Sequence, residues 1–367
     1  MKNKVSKFCV FCGNENVGKN REHVIPMWLI KLTGNPKRAM YITPSKDSDP
    51  TIMKEIPFDT FKFHSCLDCN NSYSAMEKNT KTIFSALLND EPLSSNDFND
   101  LLDWFDKVRI GLWGGSIYML RSPIEFDSRF LINNKIMQDR ILLIYKIPWG
   151  KNALNIIGGG SAVFQAQPSC FALWINNYIL INVSNEFLIS KKFGLPYPKE
   201  KYFRGSGTMT YVMNPGNNKI SFPPLKFRYE KYCTQIFQPI LHREIKEMDN
   251  SIYDTNHAKS IIKDHNSGMV HIFFYNGNNI EKYPEEKSPK WCVNYELNDD
   301  DYRKVLKQIF EIQNYLLKRS MNFLPEEKKI FKTHIKMCKR AMKSNRAFIN
   351  KIINDYKDIK RGMKIRD

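Results

Sequence analysis

Two neighbouring residues near the N-terminus, Glu22 and His23 in the stretch NREHVIP, offer a carboxylate and an imidazole side by side. An imidazole titrates near neutral pH and can accept a proton from water, and a carboxylate can bind a cation. Adjacent residues of a strand point to opposite faces, so a bulge or a bend is needed before both side chains can act at one point. By itself the pair fits a solvated turn as well as an active site.

Two C-x-x-C pairs flank this stretch, one in FCVFCG and one in HSCLDCNN. Because the sequence shows no secretion signal, such pairs indicate zinc binding rather than disulfides. Four thiolates complete a tetrahedral site without an open position, so this Zn²⁺ would be structural and would help to fold a loop-rich unit. The alternative is four unrelated buried thiols. The predicted zinc ligands are Cys9, Cys12, Cys66 and Cys69.

The order of these motifs resembles the HNH endonuclease superfamily, and more narrowly its treble-clef members, which share the ββα-metal fold and carry two zinc knuckles. The resemblance covers about residues 8–80. It implies that His23 is the general base that takes a proton from the attacking water. It also implies that Glu22, where Asp is more usual, and Asn70, directly after the last knuckle cysteine, hold a catalytic Mg²⁺ or Mn²⁺ ion.

These residue types suit the hydrolysis of a phosphodiester. The phosphate anion repels a nucleophile, so a cation must neutralise the charge that builds on the phosphate oxygens and on the leaving oxygen. Hard oxygen ligands such as those of Glu22 and Asn70 suit Mg²⁺ or Mn²⁺ and leave positions for water and phosphate. Lys19 and Arg21, which follow the first knuckle, are expected to contact nucleic-acid phosphates.

The chain departs from the family pattern shortly before the second knuckle, where the family carries an Asn and this chain has Phe61. His64 and Asn71 are the two candidate substitutes, and the sequence does not choose between them. Glu77 follows Asn70 by seven residues. On a continuous helix that spacing gives nearly the same face but about 10 Å further along the axis. Glu77 is therefore expected to support the site rather than to bind the ion.

The composition predicts a soluble globular protein with an anionic partner. Hydrophobic residues make up 42% and charged residues 26% of the chain, and Lys and Arg outnumber Asp and Glu by 56 to 38. The net charge of +18 favours nucleic acid, although a basic composition also arises from an AT-rich genome. The apolar runs are too short to span a bilayer, so a cytoplasmic protein without a membrane partner is expected.

The pattern along the chain predicts an α+β protein with three regions. Residues 1–90 are expected to form a zinc-stapled treble-clef HNH nuclease domain, residues 91–300 a mixed α/β region for substrate recognition or another effector role, and residues 301–367 a basic helical region. A helix capped by Ser95 or Asn96 is predicted to end near Gly114-Gly115, and another is predicted over 302–319. Strands are predicted over 139–147, 178–184, 207–213 and 269–277. Residues 318–367 hold sixteen Lys or Arg against five Asp or Glu, which fits either a phosphate-tracking surface or a solvated helix face.

The predicted function is metal-dependent cleavage of nucleic acid, DNA more than RNA, with His23 activating water and one divalent ion stabilising the transition state. The alternative is a zinc-stapled nucleic-acid-binding protein that kept the fold without catalysis. The resemblance further implies that one HNH domain nicks one strand, so a homodimer would be needed for double-strand breaks. Stand-alone members of the superfamily are linked to phage defence or mobile elements, and here that role is an analogy alone.

Overall fold

The computed structural model describes nine segments of the chain, which form a mixed α and β architecture. These segments are residues 8–14, 20–42, 54–119, 138–203, 209–221, 232–240, 256–264, 268–322 and 329–364. The eight helices within them are α1 (Met27–Leu32), α2 (Leu67–Ser72), α3 (Ser74–Leu88), α4 (Ser95–Met119), α5 (Ala162–Ala166), α6 (Asn256–Ile261), α7 (Asp299–Met321) and α8 (Lys329–Lys364). Among the described helices, none combines the length and the apolar character needed to cross a membrane.

The strands are short in the N-terminal part and longer in the middle of the chain. In chain order they are β1 (Arg21–His23), β2 (Ala39–Ile42), β3 (Lys54–Pro57), β4 (Lys62–His64), β5 (Asp139–Lys146), β6 (Leu154–Ile157), β7 (Cys170–Ile175), β8 (Tyr178–Asn185), β9 (Tyr197–Phe203), β10 (Met209–Asn214), β11 (Thr234–Gln238), β12 (Ile262–Asp264), β13 (Met269–Val270), β14 (Phe273–Tyr275) and β15 (Ile280–Lys282).

Strands β1 and β4 form a short antiparallel pair in the N-terminal part of the chain. Arg21 lies opposite His64, and the next two residues of β1 pair in unbroken register. Strands β2 and β3 pair with each other within the segment that separates β1 from β4. Helices α2 and α3 follow β4 and are separated at Tyr73, so they do not form one continuous helix.

A seven-stranded antiparallel sheet lies at the centre of the fold, in the order β15-β14-β11-β5-β8-β7-β6. The strands predicted over 139–147 and 178–184 are confirmed as β5 and β8. The segment predicted as one strand over 269–277 instead divides into β13 and β14. Val270 pairs with Ile262 of β12, whereas Phe273 pairs with Phe237 of the central sheet, so the two halves belong to different sheets.

Alternate residues of each strand point to opposite sides of the central sheet, and helices pack against both sides. On one face Leu142 belongs to a core that also contains Trp104 of α4 and Phe63 of β4. On the other face Leu143 belongs to a second core with Ile309 of α7. The first core therefore extends without interruption from the central sheet to the N-terminal strands.

Helix α4 continues past Gly114-Gly115, so the predicted helix end at that pair is wrong. A Cβ atom on Gly111 would lie 2.7 Å from Cε1 of Phe63, and one on Gly115 would lie 3.2 Å from Cγ2 of Val24. The two glycines therefore let α4 approach the β1–β4 pair closely. This packing outweighs the low helix propensity of glycine, which costs about 1 kcal/mol per residue relative to alanine.

Buried charges fix α4 against the central sheet. The Nη1 atom of Arg140 in β5 lies 3.1 Å from Oδ2 of Asp106 in α4 and also pairs with Asp103. Burial raises the pKa of Asp106, while the neighbouring guanidinium groups of Arg140 and Arg109 act in the opposite direction. Because an unpaired charge at such a place is costly, this network specifies how α4 sits on the sheet.

The C-terminal helices α7 and α8 pack against each other and against α5. Leu317 of α7 and Val163 of α5 form a small core with Met342 of α8. The rings of Phe310 in α7 and Phe348 in α8 stack with their centroids 5.6 Å apart. These contacts fix which side of α8 faces the protein.

Candidate metal centre and active site

Four cysteine thiols meet beside β4. The Sγ atoms of Cys9, Cys12, Cys66 and Cys69 all lie within 4.8 Å of one another, and those of Cys12 and Cys66 are 3.6 Å apart. With Zn–S bonds of about 2.3 Å, the sulfur atoms of a tetrahedral zinc site are about 3.8 Å apart. Burial and the neighbouring Cys66 thiol raise the pKa of Cys69, so a bound cation would be needed to keep all four sulfurs as thiolates. The cluster can hold a zinc ion, as the two C-x-x-C pairs predict.

Local backbone geometry turns both cysteine pairs toward one point. Gly13 has a φ of 77° and donates its backbone N–H to the carbonyl of Cys9 at 2.9 Å, which reverses the chain after the first pair. This left-handed conformation favours glycine because no Cβ atom clashes. In the second pair Cys66 caps α2, and its Sγ accepts the backbone N–H of Cys69 at 3.4 Å.

The first cysteine pair is attached directly to β4 and to the start of α3. The backbone N–H of Val10 donates to the carbonyl of His64 at 3.1 Å. The ring of Phe11 packs edge-on against Phe63 and Tyr73, with centroid distances of 5.3 and 4.9 Å. An ion in the cluster would therefore stabilise the position of β4 relative to the helices that follow it.

The carboxylate of Glu22 is engaged by a buried lysine of α4. The Nζ atom of Lys107 lies 3.1 Å from Oε1 of Glu22 and 2.7 Å from Oε1 of Glu77. The Lys107 side chain is 4% exposed, and each of the two acidic side chains is 16% exposed. The ammonium group also lies 5.7 Å from the centroid of the Tyr73 ring. One cation thus bridges acids from β1 and α3 at a place largely shielded from water.

Two tryptophans complete the surroundings of Glu77. The indole N–H of Trp28 donates to Oε2 at 2.7 Å, and that of Trp104 donates to Oε1 at 3.2 Å. With Lys107, both carboxylate oxygens of Glu77 are therefore engaged. This residue joins α1, α3 and α4 and leaves little capacity for an additional ion.

His23 lies half-buried in β1, and its two ring nitrogens have different surroundings. Its ring donates a hydrogen bond to the backbone carbonyl of Asp59. The buried Nε2 atom has no hydrogen-bond partner in the part of the chain that the structure describes. If Nδ1 is the donor to Asp59, Nε2 is the acceptor of the neutral ring. Burial, followed by the positive charge of Lys62, lowers the pKa of His23.

The structure does not bring the side chains of Glu22 and His23 to the same face. The pairing of β1 with β4 contains no bulge, so successive side chains of β1 point to opposite sides. Glu22 reaches Lys107 of α4, whereas His23 lies against Asp59 in the turn before β4. The bulge or bend that convergence requires is thus not found in this strand pair.

Of the remaining predicted residues, two asparagines belong to α2 and two other residues belong to the β1–β4 pair. Asn70 is in α2, where its backbone N–H donates at 3.1 Å to the carbonyl of the capping cysteine and its side chain is partly exposed. Asn71 and Arg21 are exposed, and His64 is buried in β4. Lys19 lies outside the described residues.

The sequence analysis missed Lys107, Trp28 and Trp104. A signal for Lys107 exists, because it stands in the otherwise apolar run LLDWFDKVRIGLW, where a lysine is buried only with a counter-charge. The partners could not be read from that run. They precede Lys107 by 85 residues for Glu22 and by 30 for Glu77.

No family model matches this chain, and neither a curated protein nor a solved structure matches it. A function for the chain must therefore account for three features of its own geometry. These are the four-cysteine cluster, the acids bridged by Lys107, and the Nε2 of His23, which has no hydrogen-bond partner in the segments that the structure describes.

Proposed function

We propose that this protein is a metal-dependent endonuclease of the HNH type, with a treble-clef N-terminal domain held by structural zinc and DNA favoured over RNA as substrate. The observation that carries the proposal is His23, a half-buried imidazole whose Nε2 atom has no hydrogen-bond partner among the described residues. A histidine that serves only the fold usually has its buried nitrogens satisfied, because leaving one unpaired costs about 1–3 kcal/mol. The nearby four-cysteine cluster supports the same assignment.

In this proposal His23 is the general base. Its Nδ1–H bond to Asp59 holds one tautomer, and the Nε2 lone pair accepts a proton from the water that attacks the phosphorus atom. The bond between phosphorus and the leaving oxygen breaks as the new oxygen–phosphorus bond forms. The leaving oxygen takes a proton from solvent water, and the imidazolium of His23 gives its extra proton to solvent, which restores the neutral ring.

Glu22 and Asn70 would hold the divalent ion, which neutralises charge on the phosphate oxygens when it is bound. A carboxylate oxygen and an amide oxygen are hard donors that suit Mg²⁺ or Mn²⁺. Lys107 engages only Oε1 of Glu22. Within the described residues, no hydrogen bond involves Oε2, so one oxygen of Glu22 is available to an ion.

A second candidate function is a zinc-stapled nucleic-acid-binding protein without catalysis. Two observations favour it: Glu22 already has a cationic partner in Lys107, and the regular register of β1 directs Glu22 and His23 to opposite faces. In this case the Lys107 bridge would only stabilise the fold, and the zinc cluster would present a binding surface.

The two functions are separated by plasmid cleavage with the zinc-loaded full chain. Wild type and His23→Ala are compared with and without Mg²⁺ or Mn²⁺. We expect cleavage that depends on the ion and falls by about 100-fold or more in the variant, because general-base catalysis contributes about 10²–10⁴-fold.

His271→Ala serves as the matched control, since His271 is another partly buried histidine whose pKa is lowered by burial. It should cleave like wild type. Equal cleavage by wild type and His23→Ala would remove His23 from the mechanism. Binding of DNA without cleavage by any of the three proteins would establish the second candidate instead.

A further inference from the structure

The exposed side of α8 carries a row of cations. Successive members are separated by four, three, four and three residues, and all are exposed. At 3.6 residues per turn these steps keep the row on one side of the helix, over about 21 Å at 1.5 Å per residue. We call this row the basic face; its members are Lys332, Lys336, Lys339, Lys343 and Arg346.

The opposite side of α8 fixes the direction of the basic face. Cys338, Met342, Phe348 and Ile349 of α8 are buried, and they pack in the small cores shared with α5 and α7. Because these apolar residues are already covered by the protein, α8 cannot rotate to hide its cations. Over residues 332–351, the part of α8 whose side chains are described, the apolar side is thus not available for insertion into a lipid surface, which amphipathic membrane-binding helices require.

The cations of the basic face are not neutralised within the described residues. No ion pair there involves any of the five, whereas α7 pairs Lys304 with Asp301 at 2.8 Å and Lys307 with Glu311 at 3.2 Å. The sequence from Lys329 to Lys351 contains no Asp or Glu. Five like charges on one side of a helix repel each other, and this repulsion is relieved by a partner with regularly spaced negative charges.

We propose that the basic face binds the phosphate backbone of a nucleic acid. The length of about 21 Å spans about six nucleotides of a duplex strand, at 3.4 Å per nucleotide, so the row can follow consecutive phosphates. The inference rests on nucleic acid being the partner, as in the proposed function, but not on cleavage. The basic face would contribute affinity for the phosphate backbone and no recognition of base sequence. It is a different surface from the one around His23.

The test measures binding rather than cleavage. Zinc-loaded full-length His23→Ala is titrated without added Mg²⁺ or Mn²⁺, so that ion-dependent cleavage is suppressed, with a labelled 25-base-pair DNA duplex and with a single-stranded RNA of the same length, by fluorescence anisotropy at several salt concentrations. Lys336→Gln, Lys339→Gln and Lys343→Gln are then combined in that background. Each lost phosphate contact lowers the slope of log affinity against log salt by about 0.7–0.9, so the three together should lower it by about 2–3.

The control combines Lys151→Gln, Lys219→Gln and Lys287→Gln, which remove the same charge from exposed positions outside α8. Its slope should stay near that of the parent. A second α8 variant, which combines Lys336→Arg, Lys339→Arg and Lys343→Arg, should retain the parent slope, which separates loss of charge from loss of folding. An equal decrease in both triple Gln variants, or none in the α8 variant with either nucleic acid, would overturn the proposal. The proposal would also be overturned if the α8 variant differed from its parent only in binding to anionic lipid vesicles and not in binding to either nucleic acid.

The outcomes also separate this proposal from the nuclease. If the α8 variant lowers the slope while wild type cleaves no plasmid, the basic face is supported and the nuclease assignment fails. If wild type cleaves and the slope is unchanged, the nuclease assignment stands and the basic face is rejected. A decrease with only one of the two nucleic acids supports the proposal and identifies which source of phosphates the face prefers.

Discussion

Lys107 constrains what the surroundings of Glu22 can do. Its ammonium group lies between the carboxylates of Glu22 and Glu77 and is nearly excluded from water. One ammonium offsets only part of the charge of two carboxylates, and the indole N–H groups of Trp28 and Trp104 stabilise the rest at Glu77. An ion bound to Glu22 would share that carboxylate with Lys107, and the repulsion between the two cations would weaken ion binding.

Replacing Lys107 by Met should lower the free energy of unfolding by about 3–5 kcal/mol, because two largely buried carboxylates lose their counter-charge. Urea denaturation of the zinc-loaded chain measures this loss. The matched control is Lys307→Met: Lys307 pairs with Glu311 at 3.2 Å, and these two side chains are 28% and 31% exposed. Such a pair near the surface contributes about 1 kcal/mol or less. Similar losses in the two variants would show that Lys107 does not neutralise the acids.

At the scale of elements, α4 connects the N-terminal strands to the central sheet. Asp106 of this helix pairs with Arg140 of the sheet, while Lys107 reaches Glu22 of β1. Gly111, one turn further along, allows the ring of Phe63 in β4 to lie against the helix backbone. A single helix therefore sets both the position of the sheet and the surroundings of the candidate site.

Gly111→Ala tests this close approach, because helix propensity and packing against Phe63 change the free energy of unfolding in opposite directions. Helix propensity alone would stabilise the protein by about 1 kcal/mol. The added Cβ atom would lie 2.7 Å from the Phe63 ring. We therefore expect a net loss of about 1–3 kcal/mol in unfolding free energy, as for other overpacked cores. Combining the change with Phe63→Leu in a double-mutant cycle should recover part of the loss, and a stabilising single change would contradict the packing described here.

At the scale of the whole molecule, the four-cysteine cluster connects parts of the chain that lie far apart in sequence. Cys12 and Cys66 are 54 residues apart, and their thiols are 3.6 Å apart. The core beside the cluster continues into the central sheet, since Phe11 and Leu142 belong to the same set of packed side chains. Loss of an ion from the cluster would therefore affect more than the residues that bind it.

Zinc removal should destabilise the full chain. We expect one zinc ion per chain, released by a strong chelator together with a lower Tm, because structural zinc contributes about 10–16 kcal/mol to the folding of small zinc domains. Cys66→Ser should lose the zinc, as measured by a colorimetric assay on purified protein. Cys233→Ser, which changes a cysteine outside the cluster, should retain it. Full zinc content in Cys66→Ser would exclude the four-cysteine site.

Local patterns in the sequence predicted a large share of this architecture. The two C-x-x-C spacings identified the four clustered thiols, and the apolar runs identified β5, β8 and the long helix α7. Such features depend on the spacing of residues that are only a few positions apart, and this spacing can be read directly from the sequence. The end of α4 was mispredicted because Gly115 packs against Val24, a contact that no local pattern contains.

The sequence by itself therefore determined four cysteines that could hold a zinc ion, the identities of Glu22, His23 and Asn70 as chemically capable residues, and a basic C-terminal helix. Only the tertiary structure decided that Lys107 occupies Oε1 of Glu22, that Nε2 of His23 has no hydrogen-bond partner among the described residues, and that the cations of the basic face point outward. The physical reason is that hydrogen bonds, ion pairs and exposure depend on which distant segments pack together. That packing is settled by the shape of the whole core, not by the spacing of neighbouring residues.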